Sequence, residues 1–295
     1  MDEFDKILDD LNVFDCKLVE MVLAKTRNAG SYICLETALE FLLPYRNRLV
    51  KTLLRELGAV RNGEEYLQSV LSLALGRLYS FKNTDAVKGV LQWKEDAWRV
   101  FVYEVTLYTM AVLLQHNRFR VFNGLVEKGL TVETYHTGKR RRTKHIDFHE
   151  CHSSRIVAWN EKNQILNKDT PGETRIDALG QWVSGRLCKE AHVSFDELVR
   201  TDLLLFLRTG IDARAFMWPP RLYAYCADKL QSDMRLDEGS DEAVKRDALL
   251  QIMNRPDKNR LMRECAGLLG RLQIFCKEPW LMKARSVVER LDKAF

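Results

Sequence analysis

From Ala97 to Leu114 the chain carries only two charges, Arg99 and Glu104, in a stretch that is otherwise apolar on most sides. Trp98, Phe101, Val102, Val105, Leu107, Tyr108, Met110, Val112 and Leu113 leave no polar face on a helix, and such a helix must be enclosed. The run is about the minimum length that spans a bilayer, and its two charges would be costly in hydrocarbon. The spacing therefore predicts a core helix from Lys94 to about Asn117, around which the N-terminal half is built. That one element demands amphipathic partners.

The sequence supplies them. Ile7, Leu8, Leu11, Phe14, Leu18, Met21 and Val22 recur at helical spacing between Phe4 and Asn28. A second helix is expected from Glu36 to Leu57, broken or kinked at Pro44, whose ring removes a donor and clashes one turn back. Gly58 would then close it as a cap. A third is expected from Gly63 to Tyr79 and a short one from Asn83 to Gln92. With 15 glycines and 6 prolines in 295 residues, breakers are few, which favours long helices over an all-β fold. Hydrophobic residues at 46% and charged residues at 29% fit an ordered globular chain.

Between Gly129 and Gly172 the apolar period fades and two β-compatible runs appear, Leu130–Tyr135 and Arg155–Trp159. A loop of that length is unusual inside a compact domain, so a hairpin-containing insertion or a functional loop is expected. Helical periodicity resumes at Thr174, through Ile176, Leu179, Trp182, Val183 and Leu187. Ser194-Phe195-Asp196-Glu197 forms a capping box, in which serine and glutamate satisfy each other's orphan backbone amides. It opens a helix that closes near Gly210. Trp218-Pro219-Pro220 forces an extended lead into a helix through Tyr223 and Leu230. Further helices are expected at Asp241–Met253, Pro256–Phe275 and Pro279–Leu291.

The fold class expected is mainly α, an irregular multi-helix bundle with a small β-containing or loop insertion in the middle. Its parts are an N-terminal helical bundle (1–128), a basic, histidine-rich insertion (129–172) and a C-terminal helical part packed on the first (173–295). Seven cysteines without a CxxC pair read as reduced thiols packed as small hydrophobes, and the acidic N-terminus lacks a basic region before an apolar run. A cytoplasmic protein with no membrane partner is expected.

Four of the 6 histidines lie between His136 and His152, beside five cations consecutive except for Thr143: Lys139, Arg140, Arg141, Arg142 and Lys144. Three chemistries suit this cluster. The cations can neutralise phosphates and release counterions, or dock on an acidic protein surface. In that role His145 and His149 add donors or pH-dependent contacts. His145, Asp147, His149 and His152 have the ligand types that zinc takes, although their spacing matches no established zinc pattern and the cations beside them repel a divalent ion. Arg140 and His145 also stand in an arginine, four residues, histidine arrangement, which resembles the motif of HEPN-type ribonucleases. The resemblance covers two positions and implies metal-independent RNA cleavage, with histidine moving a proton and arginine stabilising the phosphorane. In that family the motif lies on a helix and a polar residue such as Asn, Asp or His usually follows the arginine, where this chain has Arg141.

Two weaker clusters remain. Glu173, Arg175, Asp177, Arg186, Arg200 and Asp202 read best as ion pairs between helices. Arg208, Arg214 and Arg221, flanking Trp218 and Tyr223, form either a stacking surface for bases or, more commonly, a tryptophan packed on a neighbouring helix. There is no GxxxxGK[ST], GxGxxG after a strand, GxSxG or HExxH, and the net charge of +5 is mild. The leading expectation is an interaction protein or subunit of a larger assembly that meets nucleic acid or an acidic protein partner through the central segment. The other is a helical nuclease of bacterial toxin or defence type, using His145 with Arg140 or a metal held by His145, Asp147, His149 and His152.

Overall fold

The computed structural model describes residues 2–27, 29–59, 63–82, 91–134, 142–151, 156–166, 168, 177–211, 218–226 and 242–275. In chain order these form α1 (Asp2–Thr26), α2 (Ser31–Ala59), α3 (Glu64–Lys82), α4 (Gln92–Gln115), α5 (Phe119–Lys128), β1 (Leu130–Thr134) and β2 (Arg142–Ile146). There follow α6 (Asn160–Leu166), α7 (Ala178–Gly185), α8 (Phe195–Ile211), α9 (Arg221–Cys226), α10 (Glu242–Ile252) and α11 (Lys258–Phe275), with tight turns at Phe148–Cys151, Val157–Trp159 and Lys189–Ala191. The fold is mainly α, with one small antiparallel hairpin among the described residues.

α4 sits at the centre, as its lack of a polar face demands. Every residue from Val100 to Leu113 is buried, and α2, α3, α5 and α8 pack around it. By length and composition α4 is apolar enough to cross a membrane, but 89% of its apolar window is buried within the fold. The buried apolar side chains form one continuous cluster from Phe4 on α1 to Leu268 on α11.

Two local expectations are corrected. Of the break or kink expected at Pro44, the break does not occur: α2 continues to Ala59 and so takes Gly58 inside the helix. Leu39 and Leu42 before the proline and Leu49, Val50 and Leu53 after it are all buried, so packing on both sides outweighs one missing hydrogen bond. Val157–Trp159 is a helical turn rather than a strand, because the Ala158 N–H donates at 2.7 Å to the buried Asp96 carboxylate instead of a ladder. The capping box forms as read: Ser194 Oγ accepts from the Glu197 N–H at 3.2 Å, and Glu197 Oε2 accepts from the Ser194 N–H at 2.6 Å. Most of the expected helix Asn83–Gln92, the start of the Thr174 helix and all of Pro279–Leu291 lie outside the described residues.

The charges inside this core are bonded. Arg46 Nη1 on α2 meets Glu104 Oε1 on α4 at 2.6 Å, both nearly inaccessible, and Arg46 Nη2 donates to the Arg186 carbonyl at 2.7 Å. Burial pushes the Glu104 carboxyl above its ordinary value, and Arg46 and the Trp182 indole N–H pull it back.

Candidate functional site

The central segment begins as a hairpin laid along α3. Its register pairs Leu130 with Ile146, Thr131 with His145 and Val132 with Lys144. The apolar members Leu130, Val132 and Ile146 are buried, which fixes the register, since a one-residue slip would turn them outward. Lys144 and His145 are exposed.

The two edges of the hairpin differ. Ser72 Oγ on α3 accepts from the Thr131 N–H at 3.2 Å and donates to the Gly129 carbonyl at 3.3 Å. One turn on, Gly76 lets the Thr131 carbonyl press against the helix, where a Cβ would stand 1.9 Å from its oxygen. Thr131 therefore turns its main-chain groups toward α3 and away from β2. In an antiparallel ladder its partner must do the opposite, so His145 turns its N–H and C=O outward from the hairpin. α3 closes the edge of β1, and the edge of β2 faces away.

Beyond β2 the chain is anchored. Phe148 is buried and stacks on Trp218. Tyr79 on α3 donates its hydroxyl hydrogen to Glu150, and Cys151 is buried. Asp147 is exposed and His149 half-buried. Among the described residues no three His, Cys, Asp or Glu side chains gather into a group fit for a metal ion, and His152 lies outside those residues. Lys139, Arg140 and Arg141 lie outside them as well, while Arg142 belongs to β2. His145 stands on a strand, not on the helix where HEPN-type ribonucleases carry their motif.

The aromatic and arginine cluster is structural. Trp218 is fully buried between Tyr103 and Phe148, each ring centroid 5.6 Å away, and its indole N–H donates to Asp202 at 2.7 Å. Asp202 also accepts from the Tyr103 hydroxyl at 3.1 Å and the Leu222 N–H at 2.8 Å. Burial, followed by the nearby Asp202 carboxylate, pushes the Tyr103 hydroxyl well above its ordinary value. Arg208 is fully buried against Asn123 and Glu127, and Arg221 pairs with Asp177 at 2.6 Å. Arg186 pairs with Glu40 and lies 3.8 Å over the Trp182 ring. No base can stack on Trp218 in this arrangement, and the expected ion pairs between helices are present at Asp177 and Arg186. Arg214 and Arg175 lie outside the described residues.

A cleft of about 1090 Å³, with no counterpart among the sequence motifs, lies between the start of α3, α5 and the turn joining α10 to α11. Tyr66, Gln68, Asn123, Glu127, Asn254 and Arg255 line it. Asn123 holds Arg208 on one side and donates to the Gln251 carbonyl at 2.7 Å on the other, so its amide braces the floor. No motif marks these scattered positions. No protein-family model, curated protein or solved structure matches the chain.

Proposed function

We propose that this chain is a cytoplasmic helical interaction protein, a subunit of a larger assembly, that contacts a polyanion through its β1–β2 hairpin. The polyanion is a nucleic acid or the acidic face of a protein partner. One observation carries the reading: the hairpin is fastened to α3 along β1, and β2, the strand that ends the basic run, exposes Lys144 and His145. Charge held on a braced strand costs less conformational entropy to engage than charge on a free loop. The six described cysteines are all free thiols and five are buried, which suits a reducing compartment.

The test is fluorescence anisotropy with single-stranded RNA, duplex DNA and an acidic peptide across a salt series. If all five cations engage duplex DNA, log affinity should fall against log salt with a slope of roughly −4 to −5. Charge reversal at Lys139, Arg141 and Lys144 should abolish the interaction. Absence of binding by every probe at low salt would overturn the reading. RNA cleavage lost with His145→Ala would replace it with the nuclease one.

A further inference from the structure

The polarity of the hairpin edges goes further than charge. An open strand edge is a row of unpaired donors and acceptors, and folded proteins normally cover or blunt it. Here one edge is covered with some care. Ser72 takes up the Thr131 N–H, and Gly76 makes room for the Thr131 carbonyl against α3. The other edge is treated differently. By register the main-chain groups of Thr143 and His145 point outward from β2, and no described residue hydrogen-bonds to those of His145.

We infer that the outer edge of β2 takes an extended, acidic segment of a partner protein as a third strand. This rests on the reading that the hairpin is the contact surface, and it names the partner class and the mode of contact. Strand addition uses alternating N–H and C=O groups for affinity and flanking side chains for selectivity. β2 presents both, with the main chain of His145 outward and Lys144 exposed beside it.

The chemistry separates the candidate occupants. Phosphates would be drawn to Lys144, but they offer no donor to the outward carbonyl oxygens of the edge. A peptide satisfies donor and acceptor together. A second copy of this chain is less suited: antiparallel self-pairing about the middle residue, the register that uses the whole of β2, sets Lys144 directly opposite Lys144, and like charges in that position repel. A segment with carboxylates at alternate positions removes that repulsion.

The experiment uses the full chain and a short peptide alternating glutamate and threonine. Two further peptides carry N-methyl groups on alternate residues, in the two possible registers, with unchanged charge. The parent peptide should bind and slow amide exchange at His145. One methylated register should bind about tenfold more weakly or worse, from the loss of two main-chain hydrogen bonds. Lys144→Ala should weaken the parent peptide several-fold. Equal binding of all three peptides would overturn strand addition while leaving charge-driven contact by the hairpin intact. Binding of RNA with none of the peptide, or concentration-dependent dimers that the peptide fails to dissolve, would likewise overturn it. Failure of every polyanion would bring down both readings.

Discussion

The ring of Phe148 stacks on that of Trp218, with centroids 5.6 Å apart and planes inclined by 25°. This contact ties the segment leaving β2 to the C-terminal helices. Trp218 in turn hands its N–H to Asp202 on α8 and its other face to Tyr103 on α4. The hairpin is thus held by α3 along β1 and by the aromatic stack behind β2. Phe148→Ala removes the buried ring at the hairpin end of that stack and should cost about 3–5 kcal/mol. Urea unfolding measures the loss, and amide exchange should show β2 opening before the rest of the fold.

Gly76→Ala separates helix propensity from hairpin seating. On propensity alone alanine is favoured by about 1 kcal/mol. The new Cβ, however, meets the Thr131 carbonyl, a backbone atom that cannot step aside. The variant should be less stable than the parent and should lose affinity for the polyanion. Gly270 on α11 has open space at its Cβ position, so Gly270→Ala should instead gain up to about 1 kcal/mol. Paired thermal melts and binding assays check both.

The start of α8 supplies a pH dependence. Burial alone would raise the Glu197 carboxyl, but hydrogen bonds from Gln115 and from the Ser194 N–H and hydroxyl hold it below its ordinary value. A depressed carboxylate stabilises the fold above its unfolded-state pKa and loses that contribution as pH falls through the folded one. The melting temperature of the parent should therefore fall on acidification below the ordinary carboxylate range more steeply than that of Glu197→Gln. Ser194→Ala should cost about 1 kcal/mol at neutral pH.

Thiol reactivity should divide the cysteines. Burial pushes the Cys188 thiol up to about 11, so little nucleophilic thiolate forms at neutral pH. Cys16 is exposed, whereas Cys34, Cys151, Cys188, Cys226 and Cys265 are buried. Native alkylation followed by mass spectrometry should label Cys16 well before those five. For stability the sign is reversed relative to Glu197. A raised thiol contributes fully below its unfolded value and loses that contribution as pH rises toward about 11, a slope that Cys188→Ala should lack.

The legible parts of this fold were those fixed by nearby residues. α4 announces itself because no polar face is left on it, and the Ser194–Glu197 box because both partners sit within one turn. β1 shows as a β-compatible run, whereas β2, reading Arg142-Thr143-Lys144-His145-Ile146, has no strand-like alternation of its own. It becomes a strand by pairing with β1, and β1 is placed by Ser72 and Gly76, far away in the chain. The same distance hides the turn at Ala158, set by Asp96, and the cleft braced by Asn123. Trp218 was legible as a pair of alternatives, and burial between two rings decides for packing.

Contact between the hairpin and a polyanion can be read out chemically. Zero-length carbodiimide coupling joins a carboxylate only to an ammonium group that touches it, so polyglutamate incubated with the folded chain reports its own contact points. After subtraction of internal pairs such as Lys94 with Asp15, peptide mapping should place the coupled lysines at Lys144 and Lys139. Coupling that spares both and gathers instead at Lys128 beside the cleft, or at Lys17 and Lys25 on α1, would rule the hairpin out as the contact.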